Sequence, residues 1–350
     1  MLPQQARMFS AEFADYLINT LQPDKLTLKK YKSDINNFLH WIDDLNKINI
    51  YDIKKFKKFV QDNSEWAEST KVNKLRATKK FLQWLYDTDR YLNITKEMIN
   101  YLSPVVRKRK SNCITEDKAT IAYEDFSNVF DSCKVHNEVT FRNKALLGFT
   151  ICTGARIGAV VSMPLKSYIS EEKKIIQNPD WGVNTKFSKY IETTFLQIDE
   201  KYENIFNYWY WYLVSTKGFK PDDPLFPMTK VHNIGSDSTQ VIPKFYASEQ
   251  MLRNVIKKIF KEKGFNNVTP HKIRHLLMGL EGDEYTTKNQ RRAFYLNMGH
   301  STPKASEENY ALPTSKQLNR YIRDIKFENL QKNIEKYNKN NGKDELWSQI

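Results

Sequence analysis

The segment TLKKYKSDINNFLHWI, residues 27–42, places Leu28, Tyr31, Ile35, Phe38, Leu39 and Ile42 at three- and four-residue steps, the spacing of one helical face. Lys29 and Lys30 point away from that stripe and Lys32 sits at its edge. A second segment, STKVNKLRATKKFLQWLYD, repeats the design. Val72, Leu75, Leu82 and Leu85 form its stripe, Lys71, Lys74, Arg76 and Lys80 fall largely off it, and Ser69 stands where an N-cap is expected. Residues 10 to about 103 therefore read as a small helical domain with a cationic outer face. Pro104 stops the pattern, and the basic run VVRKRKSNCITEDKA has no periodicity, which marks residues 106–118 as a linker.

A second, larger unit spans 119–325. It begins helically through FRNKALLGFTICTGARIGAVVSM and changes texture between about 173 and 200. There KKIIQ and YIETTFLQI are rich in β-branched and aromatic residues, and the intervening NPDWGVNTKFSK holds the Pro, Gly and Asn of a hairpin region. The expected fold is mainly α with a small β-sheet, in two domains, 1–105 and 119–325, followed by a tail at 326–350. In NIFNYWYWYLV the consecutive aromatics Tyr208, Trp209, Tyr210, Trp211 and Tyr212 point in different directions on any regular element. They cannot form one stacking platform for bases, and core packing is the reading.

Charge narrows the partner. Fifty-five Lys and Arg against 41 Asp and Glu leave +14, an excess that attracts polyanions by counterion release. Lys recurs along the whole chain instead of concentrating on one amphipathic helix, which favours nucleic acid over a membrane surface. Cys113, Cys133 and Cys152 are far apart and lack CxxC spacing, so neither a disulfide framework nor a cysteine-built zinc site is indicated, and a reducing cytoplasm is expected. No apolar run has the length of a signal peptide core or a membrane span.

Three short patterns then stand in order. CTGARIGAVVSM places Arg156 after a Thr-Gly turn, TPHKIRHLLM sets His271 and Arg274 three apart, and MGHSTPKASEENY supplies His300 and Tyr310. Of only six histidines, His271, His275 and His300 all fall within the last two patterns. With these elements the chain resembles the tyrosine recombinase family, which includes phage integrases and Xer-type proteins. That family carries an Arg in a TGxR turn, a Lys on a β-hairpin, HxxR, a Gly-His pair and a nucleophilic Tyr. The helical segments over 27–42 and 69–87 also look like its DNA-clamping, core-binding N-terminal domain.

The resemblance implies a two-domain, C-shaped clamp on double-stranded DNA and a site of Arg156, Lys186, His271, Arg274, His300 and Tyr310. Arg156 and Arg274 would be the paired arginines on the non-bridging phosphate oxygens, a task suited to planar, permanently charged donors. Tyr310 would attack to give a 3′-phosphotyrosine, His271 would assist it, and His300 would contact the phosphate. Metal-free strand cleavage needs an acid for the departing 5′ oxygen, and in NTKFSK the family's spacing favours Lys186 over Lys189, with Lys173 and Lys174 as alternatives. His275 is expected to pack or to support the helix. No metal or nucleotide cofactor is implied.

The chain departs from the family at Ala159, where an acidic residue is usual three positions after the first arginine, and at Tyr310, ten positions after His300. Support for Arg156 must then come from elsewhere in the fold. Three other readings compete. A metal-dependent nuclease could use His271, His275 and His300, but the glutamate of HExxH is absent, and Lys272 and Arg274 would repel a cation. A DNA-binding module without chemistry, and a type IB topoisomerase or telomere resolvase, are the other two. The helical spacing of Tyr321, Ile322, Ile325, Leu330 and Ile334 suggests a subunit-exchange helix after Tyr310 and, with it, a homotetramer on DNA.

Overall fold

The computed structural model describes residues 3–23, 25–42, 44–88, 93–104, 121–230, 240–280, 287–299, 322, 323 and 325, the side chains of 3–7, 25 and 26 excepted. Two compact units, Met1–Asn112 and Cys113–Ile350, divide the chain, each around its own apolar core. The linker expected over 106–118 and the tail over 326–350 lie outside the described residues.

The first unit consists of α1 (Pro3–Leu21), α2 (Lys25–Trp41), α3 (Ile50–Asp62), α4 (Glu68–Asp87) and α5 (Lys96–Tyr101). Ile35, Phe38, Leu39 and Ile42 are buried, while Lys29, Lys30 and Lys32 are exposed, as the periodicity requires. Phe38 packs edge-on against Phe56 of α3 at 4.9 Å, and Phe81 of α4 meets Phe13 of α1 at 5.3 Å, so the core is built largely from aromatic edges and faces. A capping box between Asn49 and Asp52 starts α3.

Two expectations in α4 are corrected. Its N-cap is Ala67, with no side-chain cap, and Ser69 lies inside the first turn. Lys74 is not on the solvent face: it is buried, donates to Asp34 Oδ1 at 3.1 Å and lies 4.5 Å from the centre of the Trp66 ring. The apolar stripe of α4 is wider than four residues, because Ala77, Thr78, Phe81 and Trp84 are also buried, and Lys74 falls within it.

The second unit begins with α6 (Tyr123–Ser132), α7 (Glu138–Thr153) and the short α8 (Ile157–Val160). Strands β1 (Tyr168–Ile169), β2 (Lys174–Gln177) and β3 (Ile191–Thr194) follow as an antiparallel sheet in sequence order, with Lys174 opposite Thr194 and Gln177 opposite Ile191. After α9 (Glu200–Trp211) come the paired strands β4 (Met228–Lys230) and β5 (Gln240–Ile242), then α10 (Gln250–Lys261), α11 (Pro270–Gly279) and α12 (Lys288–Asn297). The β4–β5 pair was not expected; three residues per strand are too few to leave a period-2 signature. Helix α7 is the centre of the core, buried at ten positions, and its Gly148 lets the backbone of α9 approach: a Cβ there would stand 2.5 Å from the Tyr202 carbonyl oxygen.

The aromatic run divides as its geometry demands. Trp209 is fully buried and its Nε1–H donates to the Leu225 carbonyl at 3.0 Å, Tyr210 and Tyr212 are half-buried, and Tyr208 and Trp211 face solvent. Core packing is right for Trp209 and wrong for Tyr208 and Trp211. Among the described residues no helix is long and apolar enough to cross a membrane.

The buried pair gives a test of the first unit. Asp34→Ala leaves the Lys74 ammonium buried without its carboxylate and is expected to destabilise the unit by about 2–3 kcal/mol in urea denaturation. The double substitution Asp34→Leu with Lys74→Met removes both charges and should recover most of that loss; no recovery would mean that the pair is not the source of the effect.

Candidate active site

Helix α7 ends at Gly154, whose left-handed backbone (φ 56°) closes the helix through its N–H to the Thr150 carbonyl at 2.9 Å. A side chain is excluded here on two grounds, the positive φ and the neighbours. A Cβ would overlap the Met298 thioether, with Sδ at 2.6 Å. Two residues on, Arg156 is the N-cap of α8, half-buried, so the turn that ends one helix and starts the next fixes where its guanidinium begins.

Helix α11 is started by Thr269, whose hydroxyl accepts from the Lys272 N–H, with Pro270 as its first residue. Arg274 is buried on its inner face. One Nη donates to the Gly154 carbonyl at 2.6 Å and the other to the Met298 carbonyl. A single guanidinium thus joins the arginine turn to the end of α12. At that end Gly299 has φ 67°, and a Cβ on it would stand 2.8 Å from Ile191 Cδ1 and 3.4 Å from Arg156 Nη1. Arg156, Arg274 and the residue preceding His300 are therefore brought to one place, next to the start of β3. His300 and Tyr310 lie outside the described residues.

Asn297, which the sequence reading missed, completes the frame. Its buried amide accepts from the Thr194 N–H at 2.6 Å and donates to the Thr194 carbonyl at 2.9 Å, while its own carbonyl accepts from the Thr193 hydroxyl at 3.0 Å. These bonds satisfy the edge of β3 where the ladder ends. A lone Asn at a helix end carries no pattern that could have announced this.

Burial and the neighbouring Arg156 together lower the pKa of Arg274 to about 10, and burial lowers that of Arg156. Neither has an acidic partner among the described residues. A carboxylate does stand by α8: Glu249, whose Oε2 would lie 2.7 Å from a Cβ on Gly158 and whose other oxygen pairs with Arg253. It packs beside α8 where Ala159 leaves no acid, and a side chain at 158 would have to displace it.

His271 is exposed on α11, with its Nε2 3.1 Å from Nε2 of His275. Burial, His275, Arg274, Arg156 and Arg253 all push its pKa below the usual histidine value, which keeps the ring neutral at pH 7. His275 is itself exposed; it supports His271 through this contact and does not pack into the core.

The hairpin lysines separate by their partners. Lys173 pairs with Glu203 at 2.7 Å, and Lys174 is buried between Glu172 at 2.8 Å and Glu192 at 3.2 Å. Burial alone would lower the Lys174 pKa, but those two carboxylates outweigh it and hold the ammonium charged. Lys186 is exposed and Lys189 half-buried in the β2–β3 connection, and neither has an acidic partner among the described residues. The connection is fastened to the turn after α8 by the Asn184 N–H, which donates to Ser162 Oγ at 2.8 Å.

Residues 11–89 match the family model for the phage integrase N-terminal SAM-like domain. No curated protein matches by sequence. Solved structures match nearly the whole chain. A lambda integrase (75–356) dimer bound to a COC′ core site aligns at TM-score 0.58 and 13% identity, over 98% of both chains. The Tn1549 transposon integrase in complex with circular intermediate DNA aligns at 0.55 and 16%, over 88% of this chain and 97% of that one. The XerH site-specific recombinase bound to a palindromic difH substrate aligns at 0.54 and 15%, over 89% and 82%.

The lowered His271 pKa has a measurable sign. Below pH about 6.5 an unfolded histidine takes up a proton that the folded ring resists, so the contribution of His271 to stability is present above that pH and lost as pH falls. In urea denaturation His271→Gln is expected to lose less stability than wild type between pH 7.5 and 5.5. A mutant that loses as much or more would contradict the cationic surroundings assigned to this ring.

Proposed function

With a phage integrase SAM-like domain over residues 11–89 and the fold of the tyrosine recombinases, we propose that the chain is a site-specific DNA recombinase that cuts and rejoins strands through a 3′-phosphotyrosine. The observation that carries this reading is the pairing of Arg156 with Arg274, two guanidinia without a carboxylate of their own among the described residues. Two like charges held together in a partly dry site favour an anion between them, and a phosphodiester is the anion a basic chain meets on DNA.

In this reading Tyr310 attacks the scissile phosphorus, the bond to the 5′ oxygen breaks, and the energy of the diester is kept in the tyrosyl ester, so rejoining needs no nucleotide. Arg274 spends two of its five N–H donors on carbonyls, leaving three for non-bridging oxygens whose charge grows in the transition state. His271, neutral at pH 7, accepts the phenolic proton, without which a group of pKa about 10 is a weak nucleophile. His300 adds a hydrogen bond to the phosphate, and Lys186 on its exposed loop protonates the departing oxygen. Both domains contact duplex DNA, with no metal or nucleotide required. Exchange between two duplexes takes four cleavages, hence four protomers, with the 326–350 tail as the contact that couples them.

A nicked duplex, which releases its short 5′ fragment on cleavage and traps the covalent complex, tests this directly. Wild type should accumulate protein–DNA adduct and Tyr310→Phe none, while both bind; adduct from the phenylalanine variant would refute the nucleophile. Arg156→Ala should slow cleavage by about 10²–10³-fold. Lys186→Ala should be slow on ordinary DNA but recover on a substrate with a 5′-bridging sulfur, because a thiolate leaves without a proton. Recovery by Lys189→Ala and not by Lys186→Ala would transfer the role to Lys189.

A further inference from the structure

The tip of the β2–β3 connection carries an aromatic ring in an unusual setting. Phe187 is 77% exposed, and its backbone is left-handed (φ 63°, ψ 30°), as is that of Ser188 (φ 48°). One exposed phenylalanine means little, since much of any protein surface is apolar. Two consecutive non-glycine residues in this region are different, because bulky side chains adopt it only where the surroundings impose it, and such strain gathers at functional sites. Here the Thr185 hydroxyl donates to the Lys189 carbonyl at 2.7 Å, closing the loop beneath the ring. The ammonium groups of Lys186 and Lys189 lie 5.0 and 5.8 Å from its centre.

Its position adds the function. Four residues beyond Phe187, Ile191 packs at Gly299 beside the Arg156 guanidinium. At about 3.3 Å per residue the ring therefore starts no more than about 13 Å along the chain from that contact. We propose that Phe187 is a DNA wedge, an apolar ring that enters the base stack beside the phosphate held by Arg156 and Arg274, with Lys189 on a flanking phosphate and Lys186 left to the departing oxygen. The inference rests on the recombinase reading for its substrate. Insertion unstacks a base step, and the cost is lower where pairing is already weak. The protein then senses how easily the duplex opens at the cut, not only its sequence.

The test uses the full chain and two short labelled duplexes that differ by one central mismatch, with affinity measured by fluorescence anisotropy over a series of salt concentrations. Wild type should bind the mismatched duplex about tenfold more tightly. Phe187→Ala should lose that preference with an unchanged salt slope, and Phe187→Trp should keep it. Lys189→Gln should keep the preference and lower the slope by about one unit. Thermal melts of each variant show whether the fold is intact, which an exposed ring leaves undisturbed.

Retention of the preference by Phe187→Ala overturns the wedge, and so does its absence from wild type. The two readings fail separately. A preference that depends on Phe187, without covalent adduct on nicked DNA, counts against the recombinase chemistry alone. Adduct formed by a protein whose preference ignores Phe187 counts against the wedge alone.

Discussion

The site depends on one buried guanidinium that bonds to backbone from two distant parts of the chain. Arg274 reaches the Gly154 carbonyl at the end of α7 and the Met298 carbonyl after α12, 120 and 24 residues away. A buried charge is costly unless its donors are satisfied, so the fold must present both carbonyls to it. Gly154 and Gly299 follow from that demand, since each adopts a left-handed backbone against a neighbour that would meet any Cβ. Asn297 then fixes the same corner to β3. Positioning of Arg156 beside Gly299 follows from this frame, since its guanidinium has no carboxylate partner among the described residues.

Charge is sorted around this frame. Lys173, Lys174, Lys201 and Lys217 are each tied to a carboxylate, which spends them on holding the unit together. Arg156, Arg274, Lys186 and Lys189 have no such partner among the described residues, and Glu249 is paired with Arg253. Cations left unneutralised in a partly desolvated corner act more strongly on an arriving phosphate than the same charges spread over a wet surface. In the proposed reading the pair Arg156–Arg274 is organised for an anion before one arrives, and burial together with the neighbouring Arg156 charge lowers the Arg274 pKa to about 10.

The helical face of α2 and the β2–β3 hairpin were legible in the sequence because each rests on a local period or a turn composition, while the convergence of TGAR with HxxR was implied only by the family resemblance that the ordered motifs carry. Lys74 was misplaced since a periodic stripe does not state how wide the buried face is, and its partner Asp34 sits forty residues earlier. Tyr208 and Trp211 were read as core from their chemistry, although a helix that buries Trp209 must turn its neighbours outward. Asn297 and Glu249 were invisible for a different reason: their roles exist only in contacts across the fold, to Thr194 and against Gly158. The hairpin lysines were ambiguous in sequence and become distinct once Glu172, Glu192 and Glu203 are seen to occupy Lys173 and Lys174.

The most direct test of the account is an experimental structure of the full chain on a nicked duplex. The account predicts one backbone phosphate within hydrogen-bond distance of both Arg156 and Arg274, with the two carbonyl bonds of Arg274 intact and the phenolic oxygen of Tyr310 in line behind the phosphorus. A duplex whose phosphates leave the two guanidinia empty, or an Arg274 that must abandon Gly154 and Met298 to reach DNA, would contradict it.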